Sequence, residues 1–294
     1  MPSRKLNILS AEPKRNLPPY LTCWVIALRT EANPIIKFLK LTKIQANTNY
    51  SIYTNEKLGH ALIISGIGAI QSAAATAYLK AYLDIKSFAA WINFGIAGYK
   101  KEPIGEIHQA IKVFSEGHQR TFFPGFRFSK ILKNTSLLTV NEPEKNYKNS
   151  VLYDMEAFGF CEVASKFSCN ELIFVFKIVS DTPKNSLENI TTSVVEGLIN
   201  KNLLTVKELL FEIKELSNIE MKRLSVPSEV IEIESLIHFS KTNSYKFRNL
   251  YKKWKYFNSE KTLNDIQPSK KTAKEIINFL EEDISSNKSY RDYL

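Results

Sequence analysis

The 294-residue sequence contains few cysteines and histidines, and this scarcity limits the chemistry that the chain can support. Its three cysteines are odd in number, lack the spacing of a metal site and lie in apolar segments: Cys23, Cys161 and Cys169. We therefore expect reduced core thiols in a cytoplasmic protein. The four histidines are scattered along the chain, so no metal site is expected.

Long apolar runs are also absent from the sequence. No stretch reaches about 18 consecutive apolar residues, so no contact with a membrane is expected. Residues 1–20 are basic but lack the continuous apolar core of a signal peptide, and are expected to form a flexible leader. The apolar and charged fractions, 44% and 24%, are those of a globular protein long enough for one large or two ordinary domains.

Residues 61–98 predict the βαβ unit around which the rest of the chain is organised. An uninterrupted apolar run, residues 61–65, is typical of a strand buried on both faces of a parallel sheet. A glycine turn follows, then an alanine-rich helical segment (69–83) and a second apolar run (88–93) that ends in another glycine turn. Both turns fall at the carboxyl ends of strands, where open α/β sheets build ligand sites.

The first glycine turn does not match the dinucleotide-binding fingerprint. Gly66 and Gly68 supply two of its glycines, but Gln71 stands at the third position and Trp91 about where the ribose-binding acid belongs. Plain tight turns would also explain these glycines. Two such turns facing one edge of the sheet favour a ligand site.

Further elements extend this α/β pattern along the chain. Apolar runs predict strands at 21–28, 49–54, 60–65, 107–114, 136–140 and 172–179. We expect a helix at 31–39 and one long helix at 192–216, because apolar residues recur there at helical spacing. Residues 120–128 are expected to form an ordered loop.

Three acidic residues stand where these elements meet. Glu31 follows the first strand, Glu156 lies near the N-terminus of a helix, and Asp181 follows the strand that ends at Val179. Taken singly, Glu156 could be a capping acid that interacts with the helix dipole, and Asp181 could simply start a turn.

Five motifs together resemble the nucleoside phosphorylase/nucleosidase superfamily, and most closely the 5′-methylthioadenosine/S-adenosylhomocysteine nucleosidases. They occur in that family's order and spacing: A-L-x-x-E (27–31), S-G-I-G (65–68), N-F-G-I-A-G (93–98), D-M-E-A (154–157) and I-V-S-D-T (178–182). The resemblance covers about residues 21–216. It implies an α/β fold, a three-layer sandwich around a mixed, partly barrel-like central sheet, in a homodimer without a cofactor.

The resemblance also implies a reaction and its two catalytic residues. Asp181 matches the acid that protonates N7 of the departing purine, and Glu31 matches the carboxylate that orients the attacking water. The reaction would be hydrolysis of the N-glycosidic bond of a 5′-modified adenosine, releasing adenine. Such cleavage passes through an oxocarbenium-like sugar, which carboxylates stabilise while an acid neutralises the leaving base.

Four more residues are implied in binding the nucleoside substrate. Glu156 matches the residue that grips the ribose hydroxyls, and Met155 is expected under the sugar. Ser65 matches a serine beside the attacking water, and Ser180 is placed in the same site next to Asp181.

Phosphate rather than water remains an alternative nucleophile. Phosphorylases of this superfamily surround phosphate with arginines, one of which precedes the glycine turn that corresponds to residues 93–95. Here Ile92 takes that place, and Glu31 would repel phosphate, so water is the expected nucleophile. Arg29 keeps a phosphate-dependent purine nucleoside phosphorylase open.

A catalytically degenerate nucleoside-binding member is the other alternative. The intact set of Glu31, Glu156 and Asp181 favours an enzyme, because a pure binding protein needs no proton donor aimed at the base.

Departures from the family pattern leave the substrate open. The segment before D-M-E-A, which usually carries an aromatic that stacks on the purine, is short here, so Phe122, Phe123 and Phe126 are the candidates. Glu106 replaces the family's aspartate in a G-D-I turn, and Pro183 directly follows S-D-T. The 5′ substituent could be methylthio, homocysteinyl or the plain 5′-deoxy group.

The pattern changes after the catalytic region, which we place at 21–217. Residues 218–228 are expected to be a linker, and 229–294 a basic helical extension with helices at 230–239, 245–257 and 272–284. Residues 241–274 carry ten Lys or Arg against only Glu260 and Asp265. Basic residues interleaved with aromatics could bind nucleic acid. The favoured alternative is a small bundle in which the stripe Phe247, Leu250, Tyr251 and Trp254 is buried.

Overall fold

A computed structural model describes residues 20–45, 48–101, 103–185, 190–261 and 272–286. The expected leader, apart from Tyr20, lies outside these residues, as do 262–271 of the basic segment and 287–294 of the extension. The chain divides into two compact units, Met1–Arg223 and Leu224–Leu294.

Ten described strands form the sheet of the larger unit. They are β1 Thr22–Ile26, β2 Thr42–Lys43, β3 Ser51–Asn55, β4 His60–Ile64, β5 Ala90–Tyr99, β6 Ile107–Ser115, β7 Thr121–Phe122, β8 Lys133–Thr139, β9 Leu152–Asp154 and β10 Ile173–Asp181. Most of β1, β4, β5 and β10 is buried, as their largely apolar sequences predict.

Five of these strands close into a barrel. The ring runs β5, β10, β6, β8, β9 and back to β5, with β10 and β5 parallel and β9 and β5 antiparallel. The first half of β5, residues 90–93, also pairs with β1, which leads to β4 and the antiparallel β3 and β2. β10 ends at Asp181, opposite Gly98 near the carboxyl end of β5, whereas β1 ends beside the middle of β5.

Helices cover both faces of the sheet. On one face, α2 (Ala69–Tyr82) and α3 (Ala157–Ala164) pack over a core that includes Trp91 and Phe160. On the other, α1 (Arg29–Phe38), α4 (Thr192–Lys201) and α5 (Leu203–Leu224) pack over a core that includes Trp24 and Phe174. This arrangement confirms the predicted three-layer α/β fold with a partly barrel-like mixed sheet.

The single helix predicted at 192–216 is in fact two helices, because Asn202 interrupts it. The Asn202 side-chain amide donates to the carbonyl oxygens of Leu198, at 2.9 Å, and Gly105, at 3.0 Å. These bonds end α4 and tie it to the turn before β6. Helix α5 then continues through residue 224, so residues 218–224 of the expected linker are helical.

Three short strands were not predicted as strands: β2, β7 and β9. They have two or three residues each, too few for an alternating pattern to show in the sequence. β7 lies in the segment expected to be a loop. β9 closes the barrel, and its last residue is Asp154 of the D-M-E-A motif.

The smaller unit contains the three expected helices, α6 (Ser228–Leu236), α7 (Lys241–Phe257) and α8 (Ala273–Ser286). Phe247, Tyr251 and Trp254 are buried in a core shared by all three helices, with Leu250 packed against it. The structure thus confirms the bundle explanation of the aromatic stripe.

Candidate functional site

A cavity of about 200 Å³ opens at the carboxyl ends of β1, β5 and β10. Five carboxylic residues line it: Glu31, Glu144, Asp154, Glu156 and Asp181. Among the described residues that line it there is no Lys, Arg or His. The predicted catalytic residues Glu31 and Asp181, and the predicted binding residues Glu156, Met155 and Ser180, are all brought together here.

Glu31 is fixed by backbone amides on two sides. Its side chain, in the first turn of α1, accepts a bond from the Leu28 N–H at Oε2 and from the Ile96 N–H at Oε1, both at 2.9 Å. A Cβ on Gly95 would lie 2.6 Å from Oε1, so glycine is required for this approach. Burial raises the pKa of Glu31, partly offset by the charge of Lys177 and these two bonds.

Lys177 is a buried cation that none of the five sequence motifs contains. It lies opposite Gly95 in the parallel pairing of β10 with β5, and its Nζ is 2.8 Å from Asp154 Oδ2. Burial alone would lower the pKa of Lys177, but the carboxylates of Asp154, Glu156 and Glu31 outweigh it and raise the pKa. Lys177 therefore stays charged behind the cavity wall.

Asp154 is held as the partner of this lysine. Its Oδ1 accepts a 2.7 Å bond from the Thr139 hydroxyl, and its Oδ2 accepts a 2.9 Å bond from the Ala157 N–H. Asp154, the last residue of β9, thus places its carboxylate beside the N-terminus of α3, where a negative charge is favourable.

Glu156 directly precedes α3 but makes no side-chain cap bond to that helix. Its Oε1 instead accepts a 2.9 Å bond from the N–H of Gly68, in the turn before α2. Burial raises the pKa of Glu156 to about 7, despite the lowering effect of Lys177. Glu156 therefore stands at the N-cap position without capping α3 through its side chain, and its carboxyl group lines the cavity.

Asp181 is almost fully buried at the end of β10. The Tyr147 hydroxyl donates to its Oδ2, and the Ser180 hydroxyl contacts its Oδ1. Pro183 does not disturb this arrangement, because it lies in a tight turn closed by two 3.0 Å backbone bonds between Thr182 and Asn185.

Ser65 is not brought into the cavity. It lies in the turn after β4, where its hydroxyl donates to the carbonyl oxygen of Gly66 at 2.8 Å. It lines a separate open cleft with Tyr50 and Gln71. The backbone bond satisfies its hydroxyl, so the structure does not place Ser65 beside the expected water.

None of the three phenylalanines proposed to stack on the base lines the cavity. Phe122 packs edge-on against Phe158, Phe126 packs on Phe128, and Phe123 is 59% exposed. The aromatic residue among the described lining is Tyr153 of β9. The sequence did not predict that Tyr153 lines the cavity, because Tyr153 directly precedes the D-M-E-A motif and belongs to no pattern of its own.

Glu106, which replaces the family's aspartate, and Arg29, which kept the phosphorylase alternative open, both lie away from the cavity. Glu106 pairs with Lys133 at 2.6 Å and with His108 at 3.0 Å. The Arg29 guanidinium lies 5.1 Å from the ring centroid of Tyr53, bonds its hydroxyl and donates to Asn33 at 2.7 Å. Arg29 is therefore engaged outside the cavity.

Within the ranges that the structure describes, no three His, Cys, Asp or Glu side chains are grouped so as to hold a metal ion. No helix in those ranges is both long and apolar enough to cross a bilayer.

The fold is similar to that of solved nucleosidases. The apo structure of Arabidopsis thaliana 5′-methylthioadenosine nucleosidase matches with a TM-score of 0.55 and 16% identity, over 67% of this chain and 96% of that one. A Helicobacter pylori 5′-methylthioadenosine/S-adenosylhomocysteine nucleosidase matches with 0.53 and 14%, over 65% and 97%. A futalosine hydrolase mutant from the same organism matches with 0.52 and 14%, over 65% and 98%.

No family model and no curated protein matches the sequence. At these identities the structural likeness shows the fold, which is the one that the five sequence motifs imply.

Proposed function

We propose that the protein is an N-ribosyl hydrolase that releases adenine from a 5′-modified adenosine. The observation that carries this proposal is the meeting of Asp181, Glu31 and Glu156 in one cavity at the carboxyl ends of β1, β5 and β10. These three residues are separated by at least 25 positions in the sequence, and each is aimed into the cavity by a different element. The fold shared with solved nucleosidases supports the same conclusion.

The proposed reaction uses Asp181 as acid and Glu31 as base. The electron pair of the C1′–N9 bond leaves with adenine while the Asp181 carboxyl proton passes to N7. A water oxygen bonds to C1′, and the proton that the water loses passes to Glu31. Burial raises the pKa of Glu31, which makes its carboxylate a better proton acceptor than an exposed one.

The charge of the cavity favours water over phosphate. Asp181 carries a proton in this reaction and Asp154 neutralises Lys177, so Glu31, Glu144 and Glu156 are the acidic residues of the lining that set its charge. A phosphate dianion would be repelled, whereas a sugar that becomes positive in the transition state would be stabilised. Arg29, the residue that kept the phosphorylase alternative open, bonds Asn33 and Tyr53 instead.

The apolar and the acidic residues of the lining together limit which 5′ substituents the cavity can accept. Leu28, Ile67, Ile96 and Met155 give the cavity an apolar part, which suits a methylthio or plain 5′-deoxy group. A homocysteinyl group carries a cationic amine beside its carboxylate and so stays in the candidate set. Nucleosides with a purely anionic 5′ group are expected to be rejected.

The proposal is tested by incubating purified protein with methylthioadenosine, S-adenosylhomocysteine and 5′-deoxyadenosine, with and without phosphate. We expect adenine and a free sugar in both buffers. Adenine release that requires phosphate and yields a sugar 1-phosphate would assign the protein to the phosphorylases. Binding without turnover would assign it to the degenerate members.

A homodimer is proposed as the working form. Ile67 and Ile70, in and after the turn that precedes α2, are 52% and 83% exposed, and Ile67 lines the cavity. Exposed apolar side chains at a cavity mouth suit coverage by a second copy. Light scattering that gives the mass of one chain at micromolar concentration would exclude this.

Cytoplasmic location is proposed from the free thiols of Cys23, Cys161 and Cys169. Cell fractionation tests it, and recovery from an oxidising compartment would contradict it.

For residues 241–274 we propose at most weak, salt-sensitive binding to nucleic acid. Helix α7 contains six Lys or Arg and no acidic residue, but two of its cations pair with acidic residues of the neighbouring helices. Arg248 lies 2.6 Å from Glu234, and Lys246 lies 2.8 Å from Glu281. These pairs reduce the charge available to a phosphate backbone.

A further inference from the structure

Resting on the proposed function, we infer that Tyr147 is a positioning residue for Asp181, whose hydroxyl stabilises the carboxylate left when Asp181 gives its proton to the leaving base. The Tyr147 hydroxyl donates a hydrogen bond directly to Asp181 Oδ2. Tyr147 lies in the polar loop 141–150 and belongs to none of the five motifs.

The surroundings of Tyr147 hold its ring firmly beside Asp181. Of residues 141–150, all of which the structure describes, Tyr147 is the only buried one. Its ring packs edge-on against Tyr153, with centroids 5.8 Å apart. A Cβ on Gly98 would lie 2.7 Å from its Cε1 and 2.6 Å from Asp181 Oδ2, so Gly98 makes room for both groups.

The backbone of Tyr147 also indicates a constrained position. Its φ of 45° is in the left-handed region, which costs a non-glycine residue about 1 kcal/mol or more. The loop therefore adopts an unfavourable backbone conformation at Tyr147, the residue whose buried side chain bonds Asp181.

The Tyr147 hydroxyl remains a hydrogen-bond donor because it does not lose its proton. Burial, and then the bond to Asp181 and its charge, raise the pKa of Tyr147 well above its ordinary value. The hydroxyl therefore keeps its proton throughout the working pH range. Donation to a carboxylate oxygen stabilises the ionised form of that group.

The bond to Oδ2 leaves Oδ1 to carry the proton of the acid. Oδ1 contacts the Ser180 hydroxyl, which also lies 3.3 Å from the carbonyl oxygen of Ala97. Ser180 can donate to Ala97 while Asp181 is protonated and turn to Oδ1 once it is ionised. Tyr147 and Ser180 together thus stabilise the ionised product of the proton transfer.

Other titratable groups face the same space and must be considered in any pH profile. They are Glu31 on α1, Glu144 on the loop, Tyr153 and Asp154 on β9, Glu156 before α3 and Lys177 on β10. All of them remain in place when only the Tyr147 hydroxyl is removed, so a change seen in Tyr147→Phe belongs to that hydroxyl.

The experiment compares pH profiles of kcat and KM for the wild type and Tyr147→Phe. Without the donor, Asp181 becomes a weaker acid. We expect kcat to fall about 10- to 100-fold with little change in KM, and the alkaline limb of kcat/KM to move up by about one pH unit. Tyr99→Phe is the matched control, because Tyr99 follows Gly98 on β5, contacts His108 and does not line the cavity.

An unmoved alkaline limb, or a higher KM at unchanged kcat, would overturn the inference. A second measurement needs no turnover. Removal of the Tyr147 hydroxyl should destabilise the wild type more than it destabilises Asp181→Ala, as measured by chemical unfolding. Additive losses would show that the bond stabilises nothing. If the wild type releases no base, the proposed function fails, and this cycle alone decides whether Tyr147 stabilises the Asp181 carboxylate.

Discussion

The three carboxylic side chains proposed to act on the substrate each accept a bond from a different part of the chain. Glu31 meets the amide of Ile96, Glu156 meets the amide of Gly68, and Asp181 meets the hydroxyl of Tyr147. Such bonds fix the acceptors before any substrate arrives, which is what electrostatic stabilisation of a developing cation requires. The proposed reaction therefore depends on individual side-chain atoms, and the effect of removing one of them on turnover or stability can be measured.

Asp181→Asn is expected to keep the fold and lose most activity, because an amide cannot deliver a proton to N7. The barrier should rise by about 3 to 5 kcal/mol, visible in kcat, and Glu31→Gln should be similarly harmful. Asp84→Asn is the control, since Asp84 is exposed and pairs with Lys86 at the surface. Near wild-type turnover by either cavity variant would remove the role assigned to that residue.

Glu156 predicts a pH dependence of stability. Because its pKa is raised from 4.5 to about 7, the folded protein holds a proton that the unfolded chain has already released in this window. The free energy of unfolding should therefore fall as the pH rises between these values, by up to about 3 kcal/mol. Glu156→Gln should lose this component. Chemical unfolding across the window measures both proteins, and identical slopes would contradict the assignment.

The sequence predicted the motif residues of the site but not Lys177 and Tyr147, which pair with Asp154 and bond Asp181, respectively. Lys177 lies within an apolar run, so its role depends on its register opposite Gly95, a long-range fact that no local pattern carries. Tyr147 lies in a polar loop with no periodicity. Ser65 was predicted in the site by its motif, yet its hydroxyl bonds the adjacent backbone.

Among the elements, the contact between α2 and α3 supports the site most directly. At Gly159 of α3, a Cβ would lie 1.9 Å from the carbonyl oxygen of Ala69, the first residue of α2. The helices touch here because glycine has no side chain. Ala69 follows Gly68, whose N–H donates to the Glu156 side chain. The packing of the two helices therefore determines the position of the donor that Glu156 uses in the cavity.

Gly159→Ala should force these helices apart. We expect a loss of about 1 to 3 kcal/mol in the free energy of unfolding, and a higher KM because Gly68 moves away from Glu156. Gly197→Ala in α4 is the matched control: a Cβ there meets nothing within 4 Å, and helix propensity favours alanine by about 1 kcal/mol. A Gly159→Ala protein as stable as the wild type would refute the close-packing argument.

Sequence patterns predicted the long elements well and the short ones poorly. β5 and β10 are apolar over most of their lengths, and their burial follows from that. β9 has only three residues, and it closes the barrel by pairing with both β8 and β5. That closure is a tertiary property, which explains why the sequence indicated the barrel only through the family resemblance.

At the scale of the whole molecule, the chain has two units with separate cores. The helices of the smaller unit bury their own aromatic residues, and Trp254 donates to Asp283 at 2.8 Å within it. We propose that 21–217 is the catalytic region and 229–294 an appendage with no part in the chemistry. Truncation near Lys222 should then leave a soluble enzyme with unchanged kcat and KM, whereas aggregation of the product would contradict this division.

The truncated protein also tests nucleic-acid binding by the appendage. The full-length chain should bind single- or double-stranded oligonucleotides weakly, with affinity falling steeply as salt rises, and truncation should abolish that binding. Tight binding at physiological salt would show that α7 presents more charge than its ion pairs allow.

We propose that water attacks a nucleoside held among carboxylates. Adenine release from methylthioadenosine in phosphate-free buffer tests this, with the sugar product identified by mass and Asp181→Asn as the blank. We expect free adenine and free 5-methylthioribose at a rate that added phosphate does not increase. A rate of zero without phosphate, restored by phosphate with a sugar 1-phosphate as product, would contradict it.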